Sequence, residues 1–137
     1  MNPQTFVLTD FDEYVRKNPF MDYNHIRIVE ISTDKSLVQM KVIHSGLNLN
    51  GAVHGGLLYT LADCVAGITA RTDGRNYVTQ SAHINFLRNV SEGVLSATGE
   101  IIKRGNSIAV VHVQIRNELG TLLSDASVDL FCTQRTI

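Results

Sequence analysis

Apolar and polar positions alternate along most of the chain. Two runs, at residues 25–32 and 36–43, show the alternation that is typical of strands with one face in the core. Turn-forming residues join the two runs, so we expect a hairpin. Four further runs are rich in Val, Ile and Thr and are separated by glycine-containing turns, which predicts four more strands; they span residues 77–87, 94–103, 107–116 and 122–133.

One long segment breaks this alternation. Residues 55–71 are apolar at almost every position, with few polar breaks on any side. This predicts a long helix, which a loop containing Asp73 and Gly74 brings to an end. A helix that is apolar nearly all round has to be wrapped by the sheet and in part by a second subunit.

A short amphipathic helix is expected ahead of the strands, over residues 10–17. Three apolar side chains recur there at helical spacing: Phe11, Tyr14 and Val15. Thr9 or Asp10 is the expected cap, and Pro19 lies beyond the end. The order of one helix, two strands, one long helix and four strands is not an alternating βαβ order. It predicts an α+β fold in which an antiparallel sheet packs on the long helix.

Composition excludes some classes of function. A chain of 137 residues, 44% hydrophobic and 18% charged, is expected to fold as one domain over residues 1–137. Its net charge of -1 gives no general attraction for nucleic acid or an anionic membrane. We find no signal peptide and no apolar stretch of about 18 residues, so we expect a cytoplasmic protein without a membrane span. Cys64 and Cys132 lack metal-type spacing and are expected to be reduced and buried.

Asp63 is the exception inside the apolar helix. An unpaired buried carboxylate is costly, so it normally has a partner or a chemical task. One interpretation is structural: Asp63 caps a backbone group or pairs with Arg71 or Arg88. The other is chemical. Gly55 and Gly56 lie at the expected start of the helix, where free N–H groups and partial positive charge suit an anion or a developing oxyanion.

The helix start and the carboxylate are too far apart to act together within one chain. Gly55 and Asp63 are eight residues apart, which is about 12 Å along a helix. A reacting carbonyl group and its attacking water span only about 3 Å. If both groups act on one substrate, one of them must come from another chain. We therefore expect a symmetric homodimer, with two helices side by side and two shared sites.

The motif NxxGxxHGG at residues 48–56, followed by LAD at 61–63, resembles the signature of hotdog-fold acyl-CoA thioesterases of the PaaI-like, phenylacetate-pathway branch. The runs HINFLRNV and EIIKRGNSIAVVHVQI resemble the central strands of that family, and the likeness covers roughly residues 20–133. The resemblance implies an antiparallel sheet of five to six strands wrapped around a long central helix. It also implies a thioester hydrolase that needs no cofactor, since CoA is part of the substrate, and a homotetramer built as a dimer of dimers.

The resemblance also implies roles for individual residues. The N–H of Gly55 would polarise the thioester carbonyl, Asn48 would bind that carbonyl or order its loop, and His54 would line the same pocket. Asp63 of the facing subunit would act as general base or nucleophile, while Thr79 would hold the attacking water. These residue types fit the chemistry, because hydrolysis develops negative charge on the carbonyl oxygen, where one preorganised donor is typically worth roughly 3 kcal/mol.

Two assignments depend on less certain alignment or on charge alone. Ser81 is the alternative to Thr79 as the hydroxyl that holds water. For the phosphates of CoA, the densest basic spot is one turn, with Arg88 as a further candidate; the turn contains Lys103, Arg104, Gly105, Asn106 and Ser107. The resemblance places the nucleotide at this turn, and phosphate contacts at a surface predict binding that weakens with salt.

Two other functions stay open at this stage. An enoyl-thioester hydratase or dehydratase could use the same fold, although we see no motif of that kind. A non-catalytic module that binds acyl-CoA is the alternative outside enzymes. Cys64 is expected to be a structural thiol, and the five histidines form no HxxxH or HExxH pair, so no metal site is expected. Tyr59 and Thr60 lie near the expected acyl tunnel, but the acyl group itself is not fixed by the sequence.

Overall fold

A computed structural model describes residues 10–133 of the chain. The elements, in chain order, are α1 (Phe11–Arg16), α2 (Pro19–Tyr23), β1 (Ile26–Ser32), β2 (Lys35–Lys41), α3 (Gly55–Ala70), β3 (Tyr77–Phe86), β4 (Val94–Arg104), β5 (Ile108–Arg116) and β6 (Leu122–Cys132). All strand pairs are antiparallel, and together they form one six-stranded sheet in the order β1-β2-β4-β5-β6-β3. The predicted α+β fold, with its long helix and six strands, is confirmed.

The sheet covers the second half of α3 more completely than the first. All side chains of residues 65–70 are buried, and α3 contacts every strand from β2 to β6. Gly99 on β4 makes this close approach possible, because a side-chain carbon there would collide with the hydroxyl of Thr69. Towards the start of the helix, Tyr59 is 40% exposed and Asp63 is half-buried. The sheet of one chain therefore leaves an uncovered face on the first half of α3.

The N-terminal region contains two short helices where the sequence predicts one. Asp10 caps α1, because its side chain accepts a hydrogen bond of 3.0 Å from the N–H of Glu13; the other expected cap, Thr9, lies outside the described residues. Pro19 does lie beyond α1, but it also opens α2. Proline suits the first turn of a helix because its missing N–H has no intrahelical partner there. The second helix was therefore missed by reading this proline only as a stop signal.

Strand β3 forms one edge of the sheet. It pairs with β6 on one side and ends the strand order on the other. It is ten residues long, and most of its side chains are exposed, including Val78 (53%) and Phe86 (52%). A long edge strand with exposed apolar side chains is a ready template for pairing with another strand.

Candidate active site

Asp63 and Thr79 meet where α3 packs against the start of β3. The hydroxyl of Thr79 donates a hydrogen bond of 2.5 Å to Oδ1 of Asp63. The two residues are 16 positions apart and reach one another because β3 returns along α3 after the loop that follows the helix. The carboxylate thus has a neutral partner. It forms no ion pair with Arg71 or Arg88 in the described part of the chain, so the structural interpretation from the sequence is not what the contacts show.

A β-bulge decides between Thr79 and Ser81. Strict alternation would put both hydroxyls on the same face of β3. The pairing with β6 shifts by one residue between them, at Gln80, so Thr79 faces α3 while Ser81 faces away. On that opposite face the hydroxyl of Ser81 donates to Asp129 at 3.2 Å. A bulge beside a candidate active site re-aims a side chain in this way, and Thr79 is the hydroxyl that contacts Asp63.

A cavity of about 490 Å³ opens beside this pair. Asp63 and Thr79 line it together with side chains of α1, α2 and the exposed face of α3, among them Tyr14, Asn18, Tyr59, Thr60 and Arg71. The expected proximity of Tyr59 and Thr60 to the candidate site is therefore seen. The cavity joins a carboxylate, a hydroxyl and room for a small organic group, which are the elements of a hydrolytic site.

Cys64 lines the same cavity but is not a competing nucleophile. Burial and the neighbouring charge of Asp63 raise the pKa of its thiol to about 12. The thiol is therefore protonated at neutral pH, and only a thiolate is an effective nucleophile. Neither Cys64 nor Cys132 forms a disulfide; Cys132 is buried, as predicted, whereas Cys64 is only half-buried.

The start of α3 presents main-chain N–H groups. His54 caps the helix, because its Nδ1 accepts a hydrogen bond of 2.9 Å from the N–H of Gly56. Nδ1 is then the acceptor, and the neutral ring carries its proton on Nε2. The N–H of Gly55 has no hydrogen-bond partner among residues 10–133. The ring of Phe86, at the far end of β3, lies about 3.5 Å from the position that a side-chain carbon of Gly55 would take.

Asn48 organises the loop that leads into this helix. Its Oδ1 accepts hydrogen bonds from the N–H groups of Asn50 (2.9 Å) and Ala52 (3.1 Å). Gly51 turns the chain between them with a φ of 75°, a conformation that glycine adopts without strain. Of the two roles that the resemblance implies for Asn48, these contacts are those of loop ordering.

Within one chain the helix start and the carboxylate stay apart. Gly55 and Asp63 both belong to α3, eight residues from one another, which is about 12 Å along the axis. The structure therefore brings Asp63 and Thr79 together at one point, and His54 and Gly55 at another.

The residues predicted to bind CoA phosphates lie at opposite ends of α3. Arg88 is exposed and follows Phe86, beside the start of the helix. The turn of residues 103–107 lies at the other end, where Arg104 contacts the main chain of Ala70. Those two groups cannot hold one phosphate within a single chain, because α3 has 16 residues and is about 24 Å long.

Arg104 is built into the fold. Its guanidinium donates to the carbonyl of Ala70 (2.8 Å) and pairs with Asp73 (2.8 Å) and Asp34 (2.9 Å). Each of its three nitrogens already has a partner within the chain, one of which is the hydroxyl of Tyr77 at 2.9 Å. Lys103, by contrast, is exposed. That Arg104 binds a phosphate stays a prediction, and its internal hydrogen bonds and ion pairs disfavour it. Lys103 is exposed and available to a phosphate.

Arg75 contacts the main chain in the rest of the turn. Its guanidinium donates to the main-chain carbonyls of Gly105 (3.0 Å) and Asn106 (2.8 Å) and pairs with Asp73 at 2.8 Å. Ser107 accepts a main-chain hydrogen bond from Cys132. Spacing alone does not distinguish Arg75 and Arg104 from surface arginines, because nothing in it shows that β4 and the end of α3 meet.

Tyr77 and Asp73 complete this network. The phenol donates to Oδ2 of Asp73 at 2.5 Å. Burial, followed by this hydrogen bond, raises the pKa of Tyr77 to about 12. Burial also acts to raise the pKa of Asp73, but the hydrogen bonds from Tyr77 and Arg75 and the charge of Arg104 outweigh it, so that pKa lies below its ordinary value. The network fixes the first residue of β3, two positions before Thr79.

Residues 10–133 contain neither a cluster suited to a metal ion nor a membrane-spanning helix. No group of three or more His, Cys, Asp or Glu side chains there is placed to hold a metal ion. No helix among the same residues is long and apolar enough to cross a membrane.

Known proteins are similar to this chain in sequence and in fold. Residues 50–124 match the model of the thioesterase superfamily. The acyl-coenzyme A thioesterase PaaI of Escherichia coli is 30% identical over 94 residues, which cover 68% of this chain and 67% of that protein. The structure of E. coli PaaI, from the phenylacetic acid degradation operon, superposes with a TM-score of 0.85 at 24% identity, over 92% of this chain and 93% of that one.

A hypothetical thioesterase protein of Streptococcus pneumoniae, solved with coenzyme A, superposes with a TM-score of 0.79 at 30% identity, over 84% of this chain and 94% of that one. It has also been solved as two alanine variants, at an aspartate and at a threonine sixteen positions later. Asp63 and Thr79 are likewise 16 positions apart. The match over residues 50–124, together with the six-stranded sheet around α3, shows that the chain belongs to the thioesterase superfamily, a family of enzymes with the hotdog fold.

Proposed function

We propose that the protein is an acyl-CoA thioesterase that hydrolyses an acyl- or aryl-CoA thioester to the free acid and CoA. The observation that carries the proposal is the hydrogen bond between Thr79 and Asp63 beside a cavity of about 490 Å³, on a fold of the thioesterase superfamily. The pneumococcal relative was solved with coenzyme A, which supports CoA as the carrier of the acyl group. No cofactor is required, because CoA is part of the substrate.

Each candidate side chain has a defined task in this reaction. Thr79 orients a water molecule, and Asp63 accepts its proton as the water oxygen attacks the thioester carbonyl. The carbonyl oxygen becomes an oxyanion, which the free N–H of Gly55 stabilises. The carbon–sulfur bond then breaks, and CoA leaves as a thiolate that takes the proton from Asp63. If Asp63 instead attacks as a nucleophile, the carbon–sulfur bond breaks, CoA leaves as a thiolate and a mixed anhydride forms. Attack of labelled water on the Asp63 carbonyl of this anhydride then places the label in the Asp63 carboxylate, which mass spectrometry of a single turnover detects.

The proposal includes a homodimer with two shared sites. Each chain holds Asp63 and Thr79 near the start of β3 and Gly55 beside Phe86 at its end. In an antiparallel pair of β3 strands centred between residues 82 and 83, Thr79 lies opposite Phe86 of the partner subunit. In this arrangement Gly55 of the partner subunit lies beside Asp63. The exposed edge of β3 supports such a pair, and pairing of two copies removes an unprotected edge.

The proposal extends to the assembly of the dimers, the location of the protein and the residues that bind the CoA phosphates. The dimers pair into a dimer of dimers, and the absence of a disulfide at Cys64 and Cys132 fits a reducing, cytoplasmic location. Lys103 and Arg88, both exposed, bind CoA phosphates. In a dimer of this geometry the two ends of α3 from different subunits lie side by side, so residues that are far apart in one chain can act on one substrate.

Release of free thiol from a panel of CoA thioesters tests the function, with phenylacetyl, benzoyl and C4 to C12 acyl groups. We expect turnover by the wild type and a loss of about 10²–10⁴-fold in Asp63→Asn, the range for a catalytic acid–base group. Asp12→Asn is the matched control, since Asp12 is an exposed carboxylate on α1. Equal rates for wild type and Asp63→Asn would remove Asp63 from the mechanism. Binding without thiol release would favour an acyl-CoA-binding module, and hydration of an enoyl-CoA would favour a hydratase.

Mixing two inactive variants tests the shared site. Asp63→Asn and Gly55→Pro damage different halves of the same site, so a heterodimer contains one intact site and one doubly damaged site. We expect activity to reappear on mixing after subunit exchange, at up to about one quarter of the wild-type rate, since half of the dimers are mixed and each has one intact site. A monomer in sedimentation analysis, or no recovery after proven exchange, would contradict the dimer.

A further inference from the structure

The cavity beside Asp63 also contains a cation that no carboxylate of the described chain neutralises. Arg71 follows the last residue of α3 and lines the cavity together with Asp63 and Thr79. Its guanidinium donates to two main-chain carbonyls, those of Gly67 (3.0 Å) and Tyr77 (2.8 Å). The side chain is half-buried, yet it forms no ion pair with any of residues 10–133.

Gly67 determines where this guanidinium lies. A side-chain carbon at position 67 would be 2.9 Å from Nη1 of Arg71, so the absence of a side chain leaves the space that the guanidinium occupies. Arg71 thereby folds back along α3 towards Asp63. Gly67 is one turn from Asp63, about 6 Å along the helix axis. The cation and the carboxylate therefore line one cavity, and the main-chain positions that hold them are one helical turn apart.

The neighbouring arginines show that pairing is the rule in this part of the molecule. Arg75 and Arg104 both pair with Asp73, and Arg104 also pairs with Asp34. Arg71 contacts the carbonyl of Gly67, near the end of α3, and the carbonyl of Tyr77, the first residue of β3, and these offset part of the cost of burying its charge. A guanidinium has five N–H donors, and two carbonyl contacts leave donors available to a ligand in the cavity.

We propose that Arg71 binds a carboxylate at the far end of the acyl group, so that the preferred substrates are CoA thioesters of short dicarboxylic acids. This inference rests on the proposed thioesterase function. A fork of N–H donors matches a carboxylate, and Asn18 and Thr60 add polar groups to the same cavity wall. An extended chain advances roughly 1.2 Å per bond. Asp63 and Gly67, whose carbonyl holds the guanidinium, lie one helical turn apart, about 6 Å along the axis. This makes C5 and C6 diacids, with four or five bonds between their two carboxyl carbons, the chain lengths to test first.

The test compares adipyl-CoA with hexanoyl-CoA, which have six-carbon acyl groups and differ in the terminal carboxylate. We expect the wild type to prefer adipyl-CoA by at least about 10-fold in kcat/KM, which is the usual contribution of a hydrogen bond to a charged group. In Arg71→Gln this ratio should fall to about 1 or below, chiefly through KM, because a remote contact acts on binding. Arg27→Gln is the matched control: Arg27 is exposed on β1, and its variant should keep the wild-type ratio.

A binding measurement keeps the inference separate from the proposed hydrolysis. Asp63→Asn should bind adipyl-CoA at least about 10-fold more tightly than hexanoyl-CoA, whether or not the wild type releases thiol. Equal affinities there, or a wild type that hydrolyses hexanoyl-CoA as well as adipyl-CoA, would overturn the role of Arg71 and leave the thioesterase intact. A ratio that stays unchanged in Arg71→Gln while its thermal stability falls would assign Arg71 to the fold alone. Thiol release from no substrate, with selective binding of adipyl-CoA, would overturn the hydrolysis only.

Discussion

The two ends of α3 differ in how many of their backbone groups have partners. At the C-terminal end, Arg71 donates to the carbonyl of Gly67, and Arg104 donates to that of Ala70. At the N-terminal end, His54 accepts from Gly56, while Gly55 has an N–H without a partner among residues 10–133. One end is closed by charged side chains, and the other is open.

This difference separates the main-chain groups that are engaged within the fold from those that can meet a substrate. Arg71, although it lies at the closed end, keeps N–H donors available to a ligand. A helix end carries partial charge in either case, negative at the carbonyl end and positive at the N–H end. Side chains of the protein satisfy the first, and an anion or oxyanion from outside can satisfy the second. Glycine and arginine occur at both ends, so residue type alone does not say which end is functional. What indicates the functional end is whether its main-chain groups have hydrogen-bond partners within the chain.

Among changes at the two ends of α3, the largest effect should come from removing the open N–H. Gly55→Pro deletes this donor at the first position of α3, where proline is well tolerated. His54 already has the extended backbone (φ −61°, ψ 133°) that a following proline requires. We expect kcat to fall by about 10²–10³-fold with little loss of stability, the usual cost of one oxyanion donor. Steady-state kinetics and thermal unfolding check both halves of this expectation.

Gly55→Ala is the matched control for that experiment. It keeps the N–H, and its side-chain carbon would lie about 3.5 Å from the ring of Phe86, an ordinary contact distance. We expect the alanine variant to stay within a few-fold of the wild type. If alanine and proline lower kcat equally, crowding of the pocket is the cause, and the open N–H has no part in catalysis.

The next effect should appear at the closed end, and in stability instead of catalysis. Arg104→Gln removes the charge that pairs with Asp73 and Asp34. Because the side chain of Arg104 is 19% exposed, we expect a loss of about 2–3 kcal/mol in the free energy of unfolding, less than for a fully buried pair. Denaturant unfolding measures it.

Lys103→Gln, one residue away, sharpens the same comparison. Lys103 is exposed, so its variant should change stability by less than about 0.5 kcal/mol. If Lys103 binds a CoA phosphate, this variant should instead raise KM and reduce the salt dependence of KM. A stable Arg104→Gln protein with a raised KM would reverse the assignment of these two neighbours.

Local pattern was sufficient to predict the sheet, the long helix and the exceptional position of Asp63, whereas a role for Thr79 beside it was implied only by the family resemblance. Alternation fixes strands because one face is buried, and the apolar run fixes α3. The bulge at Gln80 was not predictable, since it depends on how β3 pairs with β6. Without it the sequence left Thr79 and Ser81 as alternatives. The choice between them is made by register, which no local pattern contains.

Contacts between distant segments also explain why the structure gives Arg104 a different role from the one predicted from the sequence. Arg104 was grouped with Lys103 because both are basic and adjacent. The structure separates them, because Arg104 faces Ala70 and Asp73 from a strand that begins 20 or more residues beyond them. A charge near a glycine predicts a surface turn equally well in either case. Only the packing of β4 against the end of α3 shows that Arg104 already has hydrogen-bond partners within the chain and that Lys103 is exposed.

A smaller effect should appear in the pH dependence of stability at the closed end. The pKa of Asp73 lies below the ordinary carboxyl value of 3.8, so its ionised form is favoured in the folded state. The stabilisation is present above pH 3.8 and is lost as the pH falls through the lower, folded pKa. We therefore expect Asp73→Asn to be less stable than the wild type at pH 7, with the difference shrinking below pH 4. A difference between Asp73→Asn and wild type that stays constant from pH 7 to pH 3 would contradict this origin of the stability.

The smallest effect should come from the cap at the open end. His54 accepts one hydrogen bond, from the N–H of Gly56, and the side chain is exposed. His54→Ala should cost about 1 kcal/mol in unfolding free energy, the usual value of an N-cap, and His54→Asn should restore most of it because asparagine is a good cap. If asparagine restores stability but not activity, His54 also contacts the substrate, through the Nε2–H that the cap leaves free. If it restores both, the open end acts through its main chain alone.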